Sequence, residues 1–291
     1  MTLAAARTPA PALRLPPGAW IVPPLLVLGV IFFYPLALIV AQGASGTAQA
    51  GAFGVVRRVV ATTLFQSALL HTIEIAAGAT LGCLMLGLAL ALSLSFAPFP
   101  GARAAARLID TFIALPTFLM TLAFTFIYGS AGLLNGWLME SFGFASPPIG
   151  FLYTIWGVIL AEVTVYTPFV LRPLLAAFSQ LDQNQIEIAL GLGARPWRVT
   201  REIILPAAIP ALLAGGSLCL LLTVNEFGIV LFIGAKGVIT LPLLVYGKAI
   251  QEGDYSAACA IATINVVLSV VLYTLYRVTV ARLGGGGARL G

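Results

Sequence analysis

The sequence predicts an all-α integral membrane protein of about six spanning helices. Of its 291 residues, 60% are hydrophobic and only 9% are charged, where a soluble domain carries about a quarter charged residues. Such a chain cannot cover itself with a normal wet surface, so lipid is its main solvent. The apolar residues also fall into six runs, each near the roughly 20 residues that a helix needs to cross the hydrocarbon core. Between the runs lie short polar segments holding most of the charge.

The runs are read in order as about 20–41, 67–96, 105–128, 151–175, 206–234 and 256–281. Residues 1–19, with the Thr8-Pro-Ala-Pro stretch, form a tail before the first span. The segment Ala41-Gln-Gly-Ala-Ser-Gly after that span looks like a processing site, but the apolar run is too long for a signal core and starts far from Met1. Pro116 lies inside the third run and is expected to bend it. Residues 20–282 make one domain, and 283–291, with Gly284-Gly-Gly-Gly287, make a second tail.

Basic residues fix an expected orientation. Counted on alternate sides of the six runs, one side holds eleven: Arg7, Arg14, Arg103, Arg107, Arg172, Arg195, Arg198, Arg201, Arg277, Arg282 and Arg289. The other holds four: Arg57, Arg58, Lys236 and Lys248. The positive-inside rule places the eleven, and with them both termini, in the cytoplasm.

Several function classes are excluded by composition. The net charge of +5 comes from single residues at span ends, without the dense patch or stacking aromatics of a nucleic-acid binder. Cys83, Cys219 and Cys259 sit in apolar runs without the paired spacing of a zinc or redox site, and His71 is the only histidine. No metal and no resident cofactor are expected. An embedded enzyme would need paired acids, a histidine cluster or a nucleophile with its base. A secondary transporter usually shows internal repeats, and none stands out here. No phosphate loop of the G-x-x-x-x-G-K-[ST] type exists, so ATP chemistry would have to come from another chain.

The segment of about 182–206 is the most informative. Gln183–Leu192 favours helix, Gly193 suits the left-handed residue that ends one, and Pro196 suits the first turn of a second. Arg195 stands at the capping position, where it offers no hydroxyl. Two short helices at an angle are predicted. The spacing of Glu187, Ala189, Gly193, Ile203, Leu205 and Pro206 resembles the cytoplasmic coupling loop of ATP-binding-cassette (ABC) importer permeases, with Ile188 in place of the usual middle alanine.

Polar residues inside the apolar runs mark a candidate pathway. A carboxylate near the bilayer centre costs about 2.5–3.5 kcal/mol on insertion scales, so it turns toward protein or a watery cavity. Glu162 is expected about 17 Å below the start of the fourth span, with Glu74 and Glu226 about 12 Å from the same membrane face, at about 1.5 Å per residue. Thr117, Thr121 and Thr125 make a stripe on the third run, which either lines the pathway or bonds its own backbone. His71 shares a face with Glu74, and a locally satisfied histidine is the favoured reading there. Asn225-Glu226-Phe227-Gly228 resembles permeases of the oxyanion group, and Thr240-Leu-Pro-Leu-Leu-Val-Tyr246-Gly-Lys248-Ala-Ile250 resembles importer permeases for 2-aminoethylphosphonate.

The resemblance implies a type I importer fold in a bacterial inner membrane. It implies two permease subunits, identical or related, an ATPase dimer that uses ATP on their coupling loops, and a periplasmic binding protein. Glu187, Ala189, Gly193, Ala194, Ile203, Leu205 and Pro206 become the expected ATPase-coupling residues. Glu162, Asn225, Glu226, Thr117 and Thr121 are the pathway candidates. Sulfate, molybdate, iron or a polyamine remain alternatives to a phosphonate.

Overall fold

The computed structural model describes residues 20–44, 53–97 and 99–284. The expected tail at 1–19 and residues 285–291 of the one expected at 283–291, with Arg7, Arg14 and Arg289, lie outside the described residues, while 283 and 284 belong to the last helix. The described chain is helical: α1 (Val22–Ala44), α2 (Gly54–Val60), α3 (Thr63–Phe96), α4 (Ala102–Ala114), α5 (Thr117–Tyr128), α6 (Leu133–Phe142), α7 (Ile155–Ser179), α8 (Gln183–Gly191), α9 (Pro196–Val224), α10 (Gly228–Ile233), α11 (Leu241–Tyr246) and α12 (Tyr255–Gly284). Six stretches are long and apolar enough to cross a membrane: α1, α3, α5 continued by α6, α7, α9 and α12.

The core is the packing of α3, α7 and α9. Lipid tails are as apolar as leucine, so spanning helices gain little from burying apolar surface and rely on close contact of small residues. A Cβ added at Gly82 of α3 would lie 2.5 Å from Val163 of α7, and one at Gly87 3.0 Å from Val170. On α9, a Cβ at Gly215 would lie 2.8 Å from the Val170 Cα. Ala79, Cys83, Ala161, Val170 and Cys219 fill the seam with little or no exposure. α1 is apolar all round and exposed almost everywhere, as a lipid-facing helix should be. It touches α12 where Gly43 is buried, with room for no Cβ beside Ala260.

A second cluster joins α2, α3, α11 and α12 through Val55, Val59, Phe65, Leu241, Leu244 and Ile261. Thr62 starts α3 by accepting the Phe65 N–H at 3.2 Å, and the Thr72 hydroxyl accepts the Leu241 N–H at 2.9 Å. These bonds fix the end of the bundle at which α3 and α12 begin.

Two spans differ from the sequence reading. The run 105–128 is two helices: α4 stops at Ala114 and α5 starts at Thr117. Pro116 breaks the helix outright, because it lacks an N–H and disfavours the helical conformation of Leu115 before it. The crossing is completed by α5 and α6. The run 206–234 is also two helices. α9 begins ten residues earlier, at Pro196, and ends at Val224, with Asn225, Glu226 and Phe227 between it and α10. The Glu226 carboxylate, one residue before the N-cap Phe227, accepts the Ile229 N–H at 2.8 Å and satisfies one of the free donors in the first turn of α10.

Candidate functional site

The helix pair α8–α9 is built by its termini. Asp182 accepts the Asn184 N–H at 3.0 Å and starts α8. At the other end the Gly193 N–H reaches the Leu190 carbonyl at 2.9 Å and the Ala194 N–H reaches Ala189 at 3.0 Å. Those two bonds are a Schellman motif, and its left-handed residue is Gly193 at φ +86°. Pro196 opens α9, and Arg195 supplies no side-chain cap.

Inner positions of the pair hold it on the bundle. Ile186, Ala189, Ala194 and Ile203 pack against the core, and Val199 and Ile204 are buried. Leu205 is half-buried where the pair joins the membrane part of α9, and Pro206 is exposed. Glu187 is exposed. So are large apolar side chains at the tip: Leu192 at 85%, Trp197 at 73% and Ile188 at 62%. Arg198 and Glu202 form an ion pair at 3.0 Å on the same surface.

The second site is a polar cluster sealed in the core. Glu162 on α7 has no exposed surface, and neither of its carboxyl oxygens has a hydrogen-bond partner. Its charged neighbour is Glu226, with Cys83 also in electrostatic reach. One turn along α7, the Tyr166 hydroxyl donates to Glu226 Oε2. Glu226 Oε1 takes the Ile229 N–H, so both oxygens of this carboxylate are occupied. Gly228 and Thr117 close the spot: a Cβ on Gly228 would lie 3.3 Å from Glu226 Oε1 and 3.6 Å from the Thr117 hydroxyl.

The structure divides the pathway candidates. Glu162, Glu226 and Thr117 come together. Thr121 is buried, but its hydroxyl donates to the Thr117 carbonyl at 3.0 Å, and Thr125 repeats the bond to Thr121. Asn225 turns toward α12: its amide donates to the Leu221 carbonyl at 2.8 Å, and its Oδ1 accepts from Asn265 at 3.0 Å. It ties two spans together and does not face the carboxylates. Glu74 is exposed and takes no part. His71 Nδ1 meets the Ile239 backbone at 3.2–3.3 Å, so its partner is 168 residues away and the bond ties α3 to the segment before α11. Among the described residues no group of three potential ligands could hold a metal ion. Sequence reasoning missed Tyr166. The signal was there, since Glu162 and Tyr166 are four apart and so share a helix face.

Residues 83–285 match the model of the family "Binding-protein-dependent transport system inner membrane component". The chain is 60% identical over 274 residues to the "Putative 2-aminoethylphosphonate transport system permease protein PhnU" of Salmonella typhimurium strain LT2, covering 94% of this chain and 96% of that one. It is 32% identical over 202 residues to the sulfate transport system permease protein CysT of Escherichia coli strain K12, covering 68% and 70%. A solved bacterial alginate ABC transporter, in complex with an alginate pentasaccharide-bound periplasmic protein, superposes with a TM-score of 0.74 at 17% identity, over 91% of this chain and 94% of that one. The chain belongs to the family of binding-protein-dependent transport system inner membrane components, as a multi-pass permease subunit of an ABC importer.

Proposed function

We propose that the chain forms the import pathway for 2-aminoethylphosphonate or a close aminoalkylphosphonate. The observation that carries this reading is Glu162, a fully buried carboxyl without a hydrogen-bond partner beside the carboxylate of Glu226. Two adjacent acids without a cation repel one another and bear an uncompensated desolvation cost. A primary ammonium passing between α7 and α10 would supply donors to both. Sulfate or molybdate offers no such group. The likeness to the 2-aminoethylphosphonate permease points to the same substrate.

The α8–α9 pair is the surface on which a separate ATPase subunit docks. A leucine, a tryptophan and an isoleucine that expose more than half their surface on a charged helix pair are a docking knob in search of a groove. Glu187 orients the pair, the Schellman turn at Ala189, Gly193 and Ala194 sets its angle, and Ile203, Leu205 and Pro206 join it to the span. ATPase motion then reaches the pathway as rigid-body rotation of α9. The second permease subunit, an ATPase dimer and a periplasmic binding protein complete the importer. ATP is used by the ATPase, and this chain binds no cofactor. Both termini and the helix pair are cytoplasmic, in a bacterial inner membrane.

Glu226→Gln tests the pathway. Glutamine keeps the oxygen that accepts the Ile229 N–H and the size of the side chain, so folding and ATPase docking are expected to survive. Initial uptake of radiolabelled 2-aminoethylphosphonate by the reconstituted importer should fall about tenfold, the cost of one lost charge interaction near 1.4 kcal/mol. Unchanged uptake removes Glu226 from the pathway, and wild-type uptake of a polyamine in its place would replace the substrate.

Orientation has its own test. A cysteine at Arg198 should resist an impermeant thiol reagent in intact cells, and one at Glu140 should react. The reverse pattern inverts the topology.

A further inference from the structure

We propose that a cavity between α2, α11 and α12, with neither buried carboxylate in its lining, is a binding site for a phosphoethanolamine-like zwitterion. The hollow holds about 240 Å³, below the roughly 300–1,000 Å³ of clefts for drug-sized ligands and suited to a small headgroup. Arg58, Lys248 and Asp254 line it, over an apolar floor of Val59, Leu244 and Ile261. It lies at the end of the bundle where α3 and α12 begin.

The three charged residues are arranged for an ion with both signs. Arg58 comes from the last turn of α2, is exposed and is planar, which suits a forked grip on phosphoryl oxygens. Lys248 comes from the turn after α11, keeps only a quarter of its side chain exposed and is ion-paired with Glu252 at 2.6 Å. Asp254 spends one oxygen, Oδ1, on the Ala257 N–H at 3.0 Å, where it caps α12. The other is left for an ammonium. Two cations and one carboxylate around a single hollow fit a group with a phosphoryl anion at one end and an amine a short chain away.

Two molecules present that group. One is free 2-aminoethylphosphonate, and in that case the site is an outer waiting position and rests on the function proposed above. The other is the headgroup of phosphatidylethanolamine, reached from the bilayer, and this version stands without any assumption about cargo. The apolar floor formed by Leu244 and Ile261 serves either the ethyl chain or the glycerol end of a lipid.

The test uses the full chain purified in detergent. Calorimetry compares 2-aminoethylphosphonate with ethylphosphonate, which lacks the amine. Native mass spectrometry compares retention of phosphatidylethanolamine with that of phosphatidylglycerol. Arg58→Gln should weaken the preferred zwitterion about tenfold, as expected for one charge-assisted contact. Asp254→Asn keeps the helix cap and should abolish the preference for the amine while leaving ethylphosphonate binding intact. Binding of free 2-aminoethylphosphonate assigns the site to substrate, and selective retention of phosphatidylethanolamine assigns it to lipid. Loss of neither ligand in Arg58→Gln, or no preference for the amine in the wild type, overturns the site. Uptake by the assembled importer is scored separately: uptake without binding here sinks the site alone, and lipid binding without uptake sinks the cargo alone.

Discussion

Gly193→Val is expected to insert into the membrane at the wild-type level and to lose both uptake and ATPase association. Gly193 holds φ +86°, which costs an ordinary residue about 1–2 kcal/mol and a β-branched one more. Nothing lies within 4 Å of a Cβ added there, so the penalty comes from the backbone and not from a clash. A valine therefore leaves the buried spans untouched. It acts by undoing the bonds from Gly193 to Leu190 and from Ala194 to Ala189, which set the angle between α8 and α9. With that angle lost, Leu192 and Trp197 no longer form one surface. Co-purification of the ATPase and uptake in proteoliposomes give the readout, with Gly193→Asn as the milder partner because asparagine tolerates the left-handed region. Wild-type transport by the valine variant would refute a docking role for the pair.

Gly215→Val should fail at an earlier stage, with insertion but no stable bundle. Its Cβ would sit 2.8 Å from the Val170 Cα and 3.0 Å from the Phe169 carbonyl oxygen. Both are backbone atoms, so no rotamer change relieves the overlap, and α9 must move off α7. Overpacking a core by single methylenes already costs about 1–3 kcal/mol, and here three carbons enter a helix–helix contact. Gly136→Ala is the control, since a Cβ at Gly136 meets nothing within 4 Å and alanine restricts the unfolded chain. Fluorescence-detected size exclusion of detergent extracts should show aggregated Gly215→Val beside a monodisperse control. A symmetric wild-type peak for the valine variant would contradict the packing of α9 on α7.

Those contrasting glycines show what the sequence reveals and what it hides. The spans α1, α3, α7 and α12 were legible, because lipid demands long uninterrupted apolar runs. The helix pair was legible because Gly193 and Pro196 punctuate it by local rules. The break at Asn225–Phe227 was not, since the apolar residues on both sides read as one run and the group that accepts the Ile229 N–H is a side chain facing inward. Pro116 is visible in the sequence, but inside an apolar run a bend and a full stop look alike. Glu162 and Glu226 stand out in the sequence as intramembrane acids, yet their meeting in the core beside Tyr166 depends on how α7 and α9 rotate, and that rotation is set by glycine contacts among distant residues.

The turn that leads into the fifth span bears on how far that rotation can be transmitted. Thr200–Ile204 is a π turn, and it ends two residues before Pro206. The same pairing occurs in α1, where Gly29–Phe33 precedes Pro35. A proline ring collides with the carbonyl four residues back in an α-helix, and a wider turn makes room for it. One extra residue per turn offsets everything beyond it by about 100°. On the function proposed above, the α8–α9 helix pair and the polar cluster would act like two gears on one shaft, meshed at a phase set by Pro206. Deleting Thr200 would leave both gears whole and turn one tooth past the other. The importer would then bind its motor and its cargo while the stroke of one no longer fell on the other.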